Sequence, residues 1–523
     1  MKSKFWVFLT VLIIVTTVLA SCAPATPPAA QPVVQPTATT EAPKPAEPTA
    51  TTEAAKPAAP TDTPAPAKPA EPTATPTATE WVPLKVKEGQ TKILIFVGFG
   101  TGTSPEQQAA HKKLQDEFNS THDKLQIEFL TVPWAERITK FSTMLAGDMT
   151  PDIVMPIGVG GIAEFFDEWA DLTPYIVKDK YDMSRFIGKT VEIHKYPQKG
   201  VLGLPMCVYP TAVHYNKDIF DAAGVEYPPH KFGEKYADGG VWDYTKMVEI
   251  AKKMSLDANG NDANSPAFDP KNMKQWGWDG WDWFNNVEYA AKFGDQPGTI
   301  VSKDYKKSLL GTKQYKDALT FTKQTMWDWH IRATGEQSGA FYDKSGDPMG
   351  SGLVGMWEIH SWMKYAWDGW DKAFAWDIAA VPQGPNGKII SMVDADTFVI
   401  PKSSKHKDEA WEVIKWFFEQ KQLQALIDNY GCMPADKTLA STWVGGLKAK
   451  YPHVDAQVFV DALDYVEVTN HESWRPEYTK INDIVAKAGD LISSGKNLDV
   501  NAVMDAADKE VQALLDEYWK THK

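Results

Sequence analysis

From Ala23 to Glu80 the chain carries no aromatic residue and is almost entirely Pro, Ala, Thr, Glu and Lys. Such a segment cannot bury enough apolar surface to offset the entropy lost on ordering, so no globular fold is available to it. A near-repeat runs through it: Lys44-Pro45-Ala46-Glu47-Pro48-Thr49-Ala50-Thr51 returns as Lys68-Pro69-Ala70-Glu71-Pro72-Thr73-Ala74-Thr75. Its prolines favour an extended, semi-rigid spacer rising about 3.1 Å per residue, so residues 22–80 form a tether reaching roughly 180 Å. A glycosylated stalk is the alternative compositional reading. Any packed core must therefore be built from Trp81 to Lys523.

The residues before the tether say what it is tied to. Lys2 and Lys4 precede an apolar run from Phe5 to Leu19. That is the pattern of a secretory signal, and the run is shorter than the roughly 20 residues a spanning helix needs. The run ends in Leu19-Ala20-Ser21-Cys22, which resembles the lipobox of bacterial lipoproteins. The resemblance implies a signal peptide over 1–21, removal before Cys22 and lipid attachment at Cys22. Acyl chains contribute roughly 0.8 kcal/mol per buried methylene, so several of them hold a protein at a membrane. The implied location is the extracytoplasmic face of a bacterial envelope.

The remaining body, 81–523, exceeds the roughly 250–300 residues at which single cores stop growing, so two lobes or domains are expected. The net charge of −14 argues against nucleic acid as a partner. No Cys-x-x-Cys or His-Glu-x-x-His occurs, and neither a metal nor another cofactor is expected. Cys207 and Cys432 are the cysteines left in the body. They could pair in an oxidising compartment, but nothing in the sequence demands it, so the pairing stays open. The segment Asp257-Ala258-Asn259-Gly260-Asn261-Asp262 alternates oxygen ligands as a calcium loop does. Its sixth position is Asp262 rather than Gly and its twelfth Phe268 rather than Glu, so it reads as a turn.

Tryptophan is abundant, with 21 in the chain, and clustered: Trp276, Trp278, Trp281 and Trp283; Trp327 and Trp329; Trp357, Trp362, Trp367, Trp370 and Trp376. Most are expected to pack in cores or crevices. From each cluster at least one is expected to face a ligand, since tryptophan presents a flat apolar wall.

The local pattern is α/β. Lys92–Val97, Leu125–Leu130 and Pro151–Met155 read as short buried strands, with helices at Pro105–Asn119 and Trp134–Leu145 between them. This alternation indicates a mainly parallel sheet covered by helices, with ligands beyond the carboxyl ends of the strands. Gly98, Gly100 and Gly102 lack the spacing of a dinucleotide fingerprint.

A family resemblance then covers nearly the whole body. Leu145 to Val154 (Leu-Ala-Gly-Asp-Met-Thr-Pro-Asp-Ile-Val) resembles a segment of the family 1 extracellular solute-binding proteins, the maltose-binding-protein-like lipoproteins of ABC importers. So do Asp171-Leu172-Thr173-Pro174-Tyr175, Gly203-Leu204-Pro205, and His214-Tyr215-Asn216-Lys217-Asp218-Ile219-Phe220 with Ala223-Gly224. The same holds for Trp242-Asp243 with the helix to Met254, Gly355-Met356 with Ser361-Trp362, Asp394 to Pro401, and Gly431-Cys432-Met433-Pro434-Ala435.

The resemblance implies a two-lobed, type II periplasmic-binding-protein-like clamp, each lobe a mainly parallel sheet covered by helices. Lobe 1 would span about 85–207 and 384–418, and lobe 2 about 212–380 and 422–515. It implies a monomeric, non-enzymatic receptor that captures a carbohydrate between the lobes and delivers it to permease subunits. It places the ligand-binding residues at Phe99, Tyr209, Trp281, Asp282, Trp362, Asp394, Asp396, Trp474 and Arg475. Carboxylates and arginine there would bond hydroxyl groups while tryptophan stacks on a sugar ring. Phe99 shares its loop with Thr101, and Trp474 with Arg475 would open a late helix. The alternatives are a surface-anchored carbohydrate-active enzyme, needing paired carboxylates about 5–9.5 Å apart, and a receptor for a non-sugar polar solute.

Overall fold

The computed structural model describes residues 83–147, 149–196, 198–280, 287–295, 299–466 and 472–522. The signal segment, Cys22 and the tether lie outside the described residues, as do Trp281, Asp282 and Trp283. No helix among the described residues is long and apolar enough to cross a membrane.

The three early strands form as their apolar runs predict: β1 at Thr91–Val97, β2 at Leu125–Thr131 and β3 at Ile153–Ile157. β1 pairs in parallel with both β2 and β3. Helix α1, Pro105–Thr121, links β1 to β2. It starts at a reciprocal cap, in which Ser104 accepts from the Gln107 backbone and Gln107 reaches back. Helix α2, Arg137–Ala146, follows β2 after a single 3₁₀ turn at Trp134–Glu136.

The strand that organises the rest is β4, Leu204–Asn216, buried along its whole length. Further strands are β5 (Asp279–Gly280), β6 (Met356–His360), β7 (Trp376–Ala379), β8 (Val393–Val399) and β9 (Met433–Pro434). Among the described residues they complete a nine-stranded sheet with the order β2-β1-β3-β8-β4-β6-β5, and β7 and β9 also pair with β4. β8 runs antiparallel to both β3 and β4, so the return strand lies between the early sheet and the long one. Thus β4 bonds β8 and β9 through its first half and β6 and β7 through its second.

Apolar packing forms two main cores, and β4 contributes to both. Ile93, Ile95, Leu114 and Ile153 share a core with Trp411, Ile414 and helix α3, Gln420–Tyr430, through Leu423 and Leu426. A second core gathers Val213, Tyr215, Met247, Trp278 and Tyr315 with helices α4, Tyr478–Ser494, and α5, Val500–Thr521.

Several residues of the recurring motifs have plain structural work. Asp152 is buried and accepts from the Leu94 N–H at 3.0 Å and the Ser404 hydroxyl at 2.7 Å, joining β1 to the loop after β8. Asn216 caps the next helix through the Ile219 N–H, and Gly224 ends that helix at φ +62°, a conformation that favours glycine. Asp243 caps the helix at Tyr244–Met254. Asp257 accepts from the Asn261 side-chain amide and from the backbone of Asn259, Asn261 and Asp269, which holds its carboxyl down at about 2 and makes the loop a turn. No group of acidic, His or Cys residues among the described ones could hold a metal ion.

One question that the sequence leaves open is answered here. Cys207 and Cys432 form a disulfide, with Cα atoms 5.7 Å apart across 225 residues of sequence. The pairing has no local signature. It arises because β9 pairs with β4, setting Pro434 beside Cys207.

Candidate functional site

The loops after β1 and β3, the middle of β4, the start of β8 and the turn after α3 converge on a cavity of about 520 Å³. Five residues singled out in the sequence line it: Phe99, Tyr209, Trp362, Asp394 and Asp396. Thr101, Trp134, Lys364, Tyr365, Tyr430 and Glu472 line it as well.

Its polar wall is set by sheet register. Asp394 and Tyr209 oppose each other across β8 and β4, and Asp396 opposes Cys207. Asp394 and Asp396 are two residues apart on one strand, so both side chains leave the same face. The Tyr209 hydroxyl donates to Asp396 Oδ2 at 3.0 Å. Burial raises the Asp396 carboxyl to about 6; the Tyr209 bond opposes the rise and the charge of Glu472 adds to it. Glu472 accepts from the Gly160 N–H at 3.0 Å, and its carboxyl is also raised, chiefly by burial. Gly100 lets the backbone approach here, since a Cβ at that position would stand 3.2 Å from Asp396 Oδ2.

The adjoining wall is aromatic, and Trp362 meets the Tyr209 ring edge-on with centroids 6.0 Å apart. Trp362 is half-buried and stacks on His360, with centroids 4.2 Å apart and planes 5° from parallel. His360 Nε2 lies 4.0 Å from Asp394 Oδ2, so the stack leans on the polar wall. Tyr365 is 76% exposed and Trp134 55%, an unusual cost for large aromatic faces unless something covers them. Arg137 lies over the Trp134 ring at 3.5 Å. Lys364 is the cationic side chain of the lining, and burial lowers its pKa. Trp362 and Tyr365 also border a second cavity of about 360 Å³, lined by Asp279, Tyr342, Asp347 and Trp357 among others.

The remaining candidates sit elsewhere. Trp474 stacks on Phe166 at 3.9 Å and borders a different, open cavity with Tyr478 and Glu164. Arg475 is buried, donates to the Ser473 carbonyl at 3.0 Å and lies over the Tyr478 ring. Both precede α4 rather than opening it. Trp281 and Asp282 lie outside the described residues. Tyr430, Glu472, Trp134 and Lys364 had not been singled out. Of these, Tyr430 adjoins the marked segment Gly431-Cys432-Met433-Pro434-Ala435, and Trp134 heads the helix expected over Trp134–Leu145.

A cleft built from loops at strand ends, with polar and aromatic walls, has the shape and lining that small-solute sites share. The model of the bacterial extracellular solute-binding protein family matches residues 101–424, and the chain belongs to that family. A binding protein of Brucella abortus (strain 2308) is 23% identical over 401 residues, which is 76% of this chain and 88% of the relative. Among solved structures, the Listeria monocytogenes ABC substrate-binding protein Lmo0181 in complex with cycloalternan aligns with a TM-score of 0.62 at 21% identity. That alignment covers 82% of this chain and 99% of the other. The maltose-bound MalE3 of T. maritima aligns with a TM-score of 0.58 at 19% identity, covering 81% and 99%. These likenesses show a shared two-lobed α/β fold.

Proposed function

We propose that the chain is the receptor of an ABC importer that captures a carbohydrate in the cleft lined by Trp362 and the Tyr209–Asp396 pair. The observation that carries this reading is that a half-exposed aromatic wall and buried carboxylates line one cavity. Sugar rings offer flat C–H faces to the first and hydroxyl donors to the second. The ligands named for the aligned structures, cycloalternan and maltose, support the same class. Trp281 and Asp282 belong to this reading as candidate contacts, and Trp474 and Arg475 as supports near Glu472.

In the same reading Cys22 carries lipid and residues 22–80 tether a monomeric body to the outer face of the membrane, within reach of its permease. The lobes, about 85–207 with 384–418 and about 212–380 with 422–515, close on the sugar by hinging along the strands that pass between them. The receptor reading needs no catalysis.

A thermal-shift screen of the intact chain against maltose, cycloalternan, other mono- and oligosaccharides, polyols, amino acids and peptides tests it. Ligand bound to the native state raises the melting temperature as RT ln(1 + [L]/Kd). A rise with one sugar series and no product by chromatography is the expected result. A rise with peptides or amino acids alone discards the carbohydrate. Turnover of the sugar, lost on changing one Asp or Glu, replaces the receptor with an enzyme.

A further inference from the structure

We propose that the Cys207–Cys432 disulfide is a positioning device for the ligand cleft, so that affinity depends on the bond and not only stability. The inference rests on the reading of the 520 Å³ cavity as the ligand site. Its grounds are where the two sulfurs sit. Cys432 is itself a lining residue, directly after Tyr430 and Gly431, which line the cavity too. Cys207 lies two residues before Tyr209 on β4 and is the register partner of Asp396 on β8. The bond therefore ties the strand that carries the Tyr209–Asp396 pair to the turn that carries another part of the wall.

Other restraints hold the segment after that turn, where β9 pairs with β4 and the Ala435 carbonyl accepts from the Ile187 N–H at 2.8 Å. Gly431 ends α3 at φ +66°, and its N–H donates to the Ile427 carbonyl at 2.7 Å. The following strand, β9, is two residues long, and its second residue, Pro434, has no N–H to donate. The Tyr430 hydroxyl meets His111 Nε2 at 2.5 Å, and the Ala435 N–H donates to the Met206 carbonyl at 2.9 Å. Gly431 is also closely packed: a Cβ there would stand 2.7 Å from Lys364 Nζ. Any shift of the turn therefore changes the room left for the Lys364 amine. A disulfide remote from the cavity would restrain the unfolded chain and leave affinity alone. This one holds two parts of the wall in one geometry, and binding geometry tolerates little slack.

The test compares the oxidised intact chain with the C207A/C432A variant, using maltose as the probe. Circular dichroism and a cooperative melt establish that the variant is folded. Calorimetry is then expected to show maltose binding at least tenfold weaker. A lowered melting temperature with unchanged affinity overturns the proposal and leaves the bond a stability element. A second measurement needs neither ligand nor variant: amide hydrogen exchange of the wild-type chain before and after reduction with a phosphine. Exchange is expected to rise at least tenfold at Tyr209, Gly431 and Cys432, with Ile93–Val97 unchanged. Uniform acceleration, or none at those residues, overturns the proposal. If oxidised chain does not bind maltose, that result counts against the sugar tested, and the exchange pattern alone decides the role of the bond.

Discussion

Trp362 and Trp376 come from one tryptophan-rich stretch, yet they do opposite things. Trp376 is fully buried, with Trp367 at 4.9 Å and Trp370 at 5.5 Å, in the apolar core against β4. Trp362 lies five residues before Trp367, stacks on His360 and keeps part of its ring toward two cavities. The difference is one of backbone. Trp376 opens β7, which pairs with Asn216 at the inner end of β4, so its ring is directed into the sheet's cover. Trp362 lies in the 3₁₀ turn just after β6, at a strand end where loops rather than helices surround it. Residue type says that both rings are costly to expose. Position decides which ring is covered by protein and which waits for a ligand.

This contrast breaks most easily at Trp376. Trp376→Ala is expected to lower stability by about 3–5 kcal/mol, as for other buried aromatic truncations. The fraction that stays folded should keep the wild-type affinity, measured by denaturant unfolding and calorimetry in parallel. A loss of affinity without loss of stability would merge the two regions.

The polar wall sharpens the comparison through pH. Asp396 is raised to about 6 in the folded chain, mainly by burial, against an ordinary value of 3.8. Its contribution to stability is therefore fully present below about 3.8 and lost as pH rises through about 6. Asp396→Asn is expected to stabilise the protein by about 3 kcal/mol above pH 7, a rise of about 3 °C in melting temperature, while weakening the ligand. The gain should vanish near pH 4. A variant less stable than wild type at pH 8 would mean that the Tyr209 hydroxyl stabilises the carboxylate by more than its burial costs.

Trp362→Ala should do the reverse of Trp376→Ala. Affinity falls by about 1–3 kcal/mol, and the melting temperature without ligand changes little. The smallest effect belongs to Tyr209→Phe. Removing the donor at 3.0 Å costs about 1 kcal/mol of stability and raises the Asp396 carboxyl further, visible as a shifted pH dependence of ligand binding.

The sheet was legible wherever local signals are strong. Runs such as Ile93-Leu94-Ile95-Phe96-Val97 and the Ser104–Gln107 cap are short-range statements about burial and helix entry, and β1 and α1 follow them. The length and central place of β4 were less so. A strand buried on both faces shows no alternation, and it owes its position to partners as distant in sequence as Pro434, which pairs with Cys207. The site divides in the same manner. Phe99, Tyr209, Trp362, Asp394 and Asp396 lie on or beside strands whose motifs were visible, and the structure brings them to one cavity. Glu472, Trp134 and Lys364 come from loops and 3₁₀ turns, where no periodicity marks a side chain that turns inward. The disulfide escaped because two cysteines alone carry no spacing rule.

The most direct test of the account is a calorimetric titration of the wild-type, Trp362→Ala and Trp376→Ala chains, all intact and oxidised, with the sugar that gives the largest thermal shift. The account predicts one binding site per chain, weakened roughly 10- to 100-fold by Trp362→Ala and unchanged in the folded fraction of Trp376→Ala. Equal affinity in wild type and Trp362→Ala would place the ligand elsewhere and contradict the account.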